Sequence, residues 1–260
     1  EESGCCGLSA IEDARRVAHD LDIPYYVMNF RNEFKENVVD YFIDEYLHGR
    51  TPNPCIACNR YVKWESLLKR SRDIGADYIA TGHYARIDKD ESTGRWLLKK
   101  GADPTKDQSY VLYVLNQQQL SHSVFPLGNL CKSEIREIAE KAGLPVAEKG
   151  DSQEICFVPN DDYISYLSSL GITSPKGDFI DINGNILGTH NGIINYTIGQ
   201  RKGLGAFGKP MFVTGINAEN NTVTIGENGS QYSRGLIADK MNFIAFEELS
   251  ETIRADVKIR

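Results

Sequence analysis

The sequence predicts an α/β protein: a parallel sheet with helices on both faces, followed by a small β-rich domain and the opening of a further β unit. Three observations carry this. Up to about residue 163, short apolar runs alternate with segments of helical period, the pattern of strands joined by helical crossovers. After that point glycine becomes frequent, helical periodicity stops, and hairpin signatures replace it. The final residues, Ala255 to Arg260, alternate apolar and polar in the manner of a strand. The expected division is therefore 1–163, 164–238 and 239–260.

Each element has a local reason. Ser9 and Glu12 match a capping box, and an amphipathic helix should run from there to Leu21. Tyr25 to Phe30 reads as a strand. A helix is expected from Glu33 to Leu47, stopped by Gly49. Two prolines, Pro52 and Pro54, then hold the chain extended before a helix over Tyr61 to Ile74. Tyr78 to Thr81 is a short strand of the buried type. Lys132 to Gly143 and Asp161 to Leu170 are further helices. Phe179 to Gly188 is a hairpin around Asn183-Gly184, and Met211–Asn217 pairs with Thr222–Gly226 around Ala218 to Asn221.

Composition narrows the class. The chain has 260 residues, 41% of them apolar, which suffices for an ordinary core. No segment approaches the ~20 apolar residues that span a bilayer, and Glu1 to Gly4 carries no signal or transit pattern. A cytoplasmic protein without membrane association is expected. The net charge of −7 argues against nucleic acid only weakly, because a local basic face outweighs the total. Six cysteines without a secretory signal point to thiol or metal chemistry rather than a disulfide framework.

The residues that could carry chemistry fall in five segments. Cys55 and Cys58 form a Cys-x-x-Cys behind Thr51-Pro52-Asn53-Pro54. Cys58 is expected near a helix start, where backbone N–H groups and the helix dipole favour thiolate. Cys156 lies in Asp151-Ser152-Gln153-Glu154-Ile155-Cys156-Phe157. Three inert thiols, a redox or sulfur-relay pair, a zinc site, or three ligands of an iron–sulfur cluster with an open fourth position all fit these spacings. Cys5, Cys6 and Cys131 read as structural. Gly82 and His83 should stand at the carboxyl end of a strand, the edge where ligands bind in parallel sheets. Lys106-Asp107-Gln108 opens an apolar run: either a helix start capped by Asp107, or a loop with Lys106 on phosphate and Gln108 on a base edge. Thr197 to Gly205 is a Gly-rich loop bearing Arg201 and Lys202: either a plain turn, or a phosphate-binding one and a mobile one.

Taken together and in order, Thr51-Pro52-Asn53-Pro54-x-x-x-Cys58-Asn59, Ala80-Thr81-Gly82-His83-Tyr84, Lys106 to Tyr110, Asp151 to Phe157 and Thr197 to Leu204 resemble the tRNA-specific 2-thiouridylases. The resemblance implies an ATP pyrophosphatase-like α/β domain, a small central β domain that contacts tRNA, and a C-terminal β-barrel. It implies ATP with Mg as cofactors, tRNA as substrate, and a sulfur-donor protein, a cysteine desulfurase or relay protein, as partner. ATP would adenylate O2 of the wobble uridine, and sulfur would displace AMP. A persulfide would form on Cys156, with Cys58 helping to release the sulfur, and disulfide chemistry goes with those thiols. Gly82 and His83 would hold the nucleotide; Lys106, Asp107, Gln108, Arg201 and Lys202 would hold tRNA.

Three departures qualify the resemblance. The family's Ser-Gly-Gly-x-Asp-Ser loop is absent, so the sequence is expected to begin inside a longer protein. The barrel stops early, at Arg260. Position 55 is Cys where many members carry Asp, which adds a third potential ligand for a 4Fe–4S cluster with Cys58 and Cys156. The reading from a different class is a non-catalytic thiol or zinc module that binds RNA. Ligation of the argininosuccinate type would share the fold but has no use for three thiols.

Overall fold

A computed structural model describes residues 7–144 and 155–258. The chain divides into two compact units, one of 1–37, 55–153 and 240–260, the other of 38–54 and 154–239.

In the first unit, helix α1 (Leu8–Asp20) starts one residue before the predicted capping box, and no side chain caps it. The expected strand at Tyr25 to Phe30 does not form. Residues 23–30 have no ladder partner among the described residues, and Tyr26 and Val27 are exposed. The helical stretch that follows changes pitch twice, as α2 (Arg31–Phe34), π-helical turns (Lys35–Val39) and α3 (Asp40–Leu47), and from Val38 on it belongs to the second unit. The next begins at Pro54 rather than Tyr61, as α4 (Pro54–Ala57), widens into π-helical turns (Cys58–Leu67) and ends as α5 (Leu68–Asp73). A proline at the first helical position loses no hydrogen bond there and presets φ, which explains the early start.

The parallel sheet is the pair β1 (Ile79–Ala80) and β4 (Ser123–Val124), with Ile79 opposite Ser123. Between them the chain forms a hairpin, β2 (Ala85–Lys89) and β3 (Trp96–Lys100), and a short helix, α6 (Gln117–Ser121). Asp90 organises the hairpin turn by accepting from the Ser92 N–H and hydroxyl and the Thr93 hydroxyl. Helix α7 (Lys132–Lys141) follows close to its predicted limits. The core of this unit centres on Trp64, Leu112, Leu115 and Leu120, all 1% exposed or less.

The expected opening of a β-barrel at 239–260 is not seen. Residues 240–258 contain no strand and lie along the first unit instead. Asn242 donates to the Tyr113 and Leu115 carbonyls, Arg95 donates to those of Phe243 and Ile244, and Lys258 stands over the Tyr110 ring.

The second unit holds helix α8 (Tyr163–Ser169) and a four-stranded mixed sheet of order β6-β5-β8-β7. Its strands are β5 (Gly177–Ile180), β6 (Ile186–His190), β7 (Met211–Asn217) and β8 (Thr222–Glu227). Both predicted hairpins are present. In the first, Asp181 gathers the N–H groups of Asn183 and Asn185, and Gly184 takes the positive φ the turn requires. The parallel pairing of β5 with β8 joins the two hairpins into one sheet. Phe42, Leu167, Val213, Val223 and Ile225 fill its core. Buried His190 accepts from the Gly192 N–H at Nδ1 and donates from Nε2 to the Asn221 carbonyl. It fastens the end of β6 to the turn before β8.

Candidate functional site

The site in the first unit is assembled at the carboxyl end of the parallel pair. The ladder continues one residue past β1, through the Thr81 N–H to the Val124 carbonyl, and Gly82 and His83 follow directly. Gly82 is exposed and its φ lies outside the left-handed region. A Cβ there would meet only Leu127 Cδ1 at 3.6 Å, an ordinary contact. Neither strain nor crowding demands glycine at this position. Close approach of a ligand to the backbone is the remaining physical reason for it.

His83 is buried, packed on the Trp64 and Phe125 rings, with Nδ1 2.7 Å from the Thr81 hydroxyl. Burial, aided by the Lys63 charge, pushes its pKa down to about 3. The ring is therefore neutral at physiological pH. The unfolded ring takes a proton near pH 6.5 and the folded one does not, so stability is complete above pH 6.5 and is lost as pH falls toward 3. Acid unfolding followed by circular dichroism should show a shallower loss of stability between those values in His83→Gln than in wild type. An equal slope would mean the ring is not the group that titrates.

The helix behind this edge carries the Cys-x-x-Cys. Cys58 sits a full turn inside it, where α-helical bonding gives way to π-helical turns, and is half-buried. Cys55 occupies the first turn and is exposed. The helix-start argument therefore applies to Cys55 more than to Cys58, since the dipole effect fades beyond the first turn. A change of helical pitch is itself a frequent mark of functional positions. Next to Cys58, Asn59 is 1% exposed and bridges two elements. Its Nδ2 donates to the Val111 carbonyl at 2.9 Å, and its Oδ1 accepts from Lys63 Nζ at 2.9 Å. Sequence reasoning quoted Asn59 in a motif without a role and passed over Lys63. The available signal was their i, i+4 spacing on one helix.

Asp107 and Gln108 hold the chain to itself. Asp107 accepts from the N–H groups of Gly101 and Ser109 and from the Ser109 hydroxyl. Gln108 accepts the Tyr84 N–H at its side-chain oxygen, while its own N–H donates to the Tyr84 carbonyl. This pair fixes the residue after His83. Lys106 stands half-buried beside them.

In the second unit, Cys156 is half-buried, just ahead of Phe157, which packs edge-on against Phe42. The Asp151 to Glu154 part of its motif lies outside the described residues, as do Cys5 and Cys6. The Gly-rich loop is tied down rather than loose. Gln200 accepts from the Thr197 N–H and donates to the carbonyls of Asn195 and Lys202, and the Gly199 N–H donates to Val213 of β7. The loop displays Arg201 and Lys202 to solvent beside a shallow cavity of about 340 Å³ that Lys209 also lines.

Residues 1–160 match the family model described as tRNA methyl transferase HUP domain, and 165–227 the one described as tRNA methyl transferase PRC-barrel domain. The tRNA-specific 2-thiouridylase of Clostridioides difficile (strain 630) is 56% identical over 261 residues, covering 100% of this chain and 72% of that protein. That of Lachnoclostridium phytofermentans is 60% identical over 262 residues, covering 100% and 73%. That of Thermoanaerobacter sp. (strain X514) is 56% identical, covering 100% and 72%. The chain belongs to the tRNA-specific 2-thiouridylase family.

For a thiouridylase of this family the fit of each cofactor is unequal. The Gly82–His83 edge suits a nucleotide: an exposed backbone without a Cβ, a neutral ring and a nearby ammonium group. The proposed iron–sulfur ligands are divided between the units, Cys55 and Cys58 in the first and Cys156 in the second. Among the described residues no group of three His, Cys, Asp or Glu side chains is placed to hold a metal ion. Among the described residues Cys55, Cys58, Cys131 and Cys156 form no disulfide. Among the described residues no helix is long and apolar enough to cross a membrane.

Proposed function

We propose that this chain is the thiolating part of a tRNA 2-thiouridylase, which transfers sulfur to C2 of the wobble uridine of tRNA at the expense of ATP. The observation that carries the reading is a half-buried Cys58 on the helix behind a neutral, ligand-accessible Gly82–His83 edge, in a chain 52–60% identical to the 2-thiouridylases it matches. ATP supplies the adenylyl group that makes O2 of the uridine a leaving group. Gly82 admits the nucleotide to the backbone, and His83 offers a neutral ring beside it. Cys156 carries the transferable sulfur as a persulfide, delivered by a cysteine desulfurase or a relay protein, and Cys58 helps release it. The family models bear a methyl-transfer description, but two accessible thiols on the motifs named above favour sulfur transfer. Mg accompanies the nucleotide phosphates in this reading. This chemistry does not require a 4Fe–4S cluster; purification without oxygen, followed by iron and sulfide assay, tests for one.

Arg201 and Lys202, with Lys106, supply the phosphate contacts for tRNA, while Asp107 and Gln108 shape the loop that presents Lys106. The test is thiolation of unmodified tRNA by the full-length protein with ATP and a persulfide donor, read together with pyrophosphate release. Pyrophosphate that appears only with tRNA supports the enzyme. RNA binding without any ATP turnover would favour a binding module instead. Arg201→Glu with Lys202→Glu should weaken tRNA binding at least about tenfold and flatten its salt dependence by roughly two charges. ATP affinity should stay unchanged. Unaltered tRNA binding in the double variant would remove the loop from the tRNA interface.

A further inference from the structure

The half-buried lysine beside His83 has no use in the mechanism as drawn. Lys63 donates to Asn59 Oδ1 at 2.9 Å, and no carboxylate lies within salt-bridge distance of it among the described residues. An ammonium group has three N–H donors, and an amide oxygen satisfies one of them without neutralising the charge.

Asn59 cannot turn to offer anything else. It is fully buried, and its Nδ2 is required by the Val111 carbonyl, so its Oδ1 must face the ammonium group. The lysine head is thereby held in one place, whereas a lysine that merely covers apolar surface leaves its head free in water. The neighbouring ring neither neutralises it nor adds a second charge, because His83 is neutral. A fixed cation without a carboxylate partner among the described residues, on the helix whose Trp64 packs against His83 at the carboxyl end of the parallel strands, is an arrangement for an anion.

We propose that the Lys63 ammonium group binds a phosphate of the nucleotide held at the Gly82–His83 edge, and that buried Asn59 is the residue that positions it. This rests on the ATP-dependent reading given above. A nucleotide phosphate is favoured over a tRNA backbone phosphate because Trp64, next in sequence to the lysine, packs on the His83 ring at 5.7 Å, and the Lys63 charge acts on that ring.

The full-length protein decides it by calorimetric titration with ATP, AMP and adenosine, in wild type, Lys63→Met and Lys63→Arg. Lys63→Met keeps the length of the stem but leaves the buried Asn59 oxygen without its donor, so it should melt several degrees below wild type and still fold. It is expected to bind ATP and AMP at least about tenfold more weakly and adenosine as wild type does, because only the phosphate contact is lost. Lys63→Arg should recover part of the loss. Equal affinity of Lys63→Met for ATP, or a parallel loss for adenosine, overturns the assignment. So does a loss confined to tRNA, which would give the lysine to the RNA backbone. A wild-type protein that binds no ATP overturns the ATP-dependent reading itself, and this inference with it.

Discussion

Cys156→Ser in the full-length protein is expected to abolish thiolation of tRNA, by roughly 10³-fold or more, while tRNA-dependent pyrophosphate release persists. Serine preserves the size of the side chain but cannot carry a transferable sulfur, so only the sulfur half of the reaction is lost. Effects of this size are usual when a group that forms a covalent intermediate is removed. Cys58→Ser is expected to stop product formation equally while leaving a persulfide detectable by mass on Cys156. The two variants therefore fail at different stages: one never loads sulfur, the other loads it without releasing it. Cys55→Ser supplies the control. Cys55 is exposed on the first helical turn, and no metal-binding group forms around it among the described residues. Its loss should cost far less than that of either partner. If Cys156→Ser thiolates tRNA at the wild-type rate, the persulfide assignment is wrong. A collapse in Cys55→Ser as deep as that in Cys58→Ser would bring the three-cysteine cluster back.

What could be read in the sequence was whatever short-range chemistry determines. The hairpin at Asp181 to Asn185 and the turn at Ala218 to Asn221 form where they were expected because their residues dictate the backbone themselves. The hairpin of Ala85–Lys89 with Trp96–Lys100 was missed, although Ser92-Thr93-Gly94 marks its turn. Its strands are short and half-exposed, so alternation in them is faint. Tyr25 to Phe30 failed in the opposite way. β-Propensity is strong there, but a strand needs a neighbour, and that requirement is invisible in a local window. The candidate site shows the same division. Gly82 and His83 were placed by the strand that precedes them. The roles of Asp107, Gln108 and Gln200 as internal clamps depend on which carbonyls and N–H groups lie opposite, and no spacing rule supplies that. Asn59 illustrates the limit: its partner Val111 is 52 positions away.

Trp64→Ala is expected to be among the most damaging substitutions for stability in the first unit, and its effect should reach the site. Trp64 is 1% exposed and lies at the centre of the core made by Leu112, Leu115 and Leu120. Truncating a buried tryptophan to alanine costs about 3–5 kcal/mol, from lost apolar burial and the cavity left behind. At roughly 2–4 °C per kcal/mol for a chain of this size, the melting point should fall by on the order of 10 °C. The indole also does two local jobs. Its Nε1 donates to the Ser123 hydroxyl at 2.6 Å, on strand β4, and its ring is one wall of the His83 pocket. Trp64→Phe separates these from bulk packing. Phenylalanine keeps a wall against His83 but gives up the bond to β4, while the Ser123 hydroxyl still donates to the Gln119 carbonyl. Its cost should therefore be nearer 1–2 kcal/mol, since no buried donor is stranded. In Trp64→Ala, water gains access to the His83 ring, and the desolvation that holds its pKa near 3 weakens. A His83 resonance titrating closer to the ordinary value in Trp64→Ala, and unmoved in Trp64→Phe, would tie the core residue to the electrostatics of the nucleotide edge. Identical His83 titration in both variants would show that Phe125 and the strand ends alone keep the ring dry.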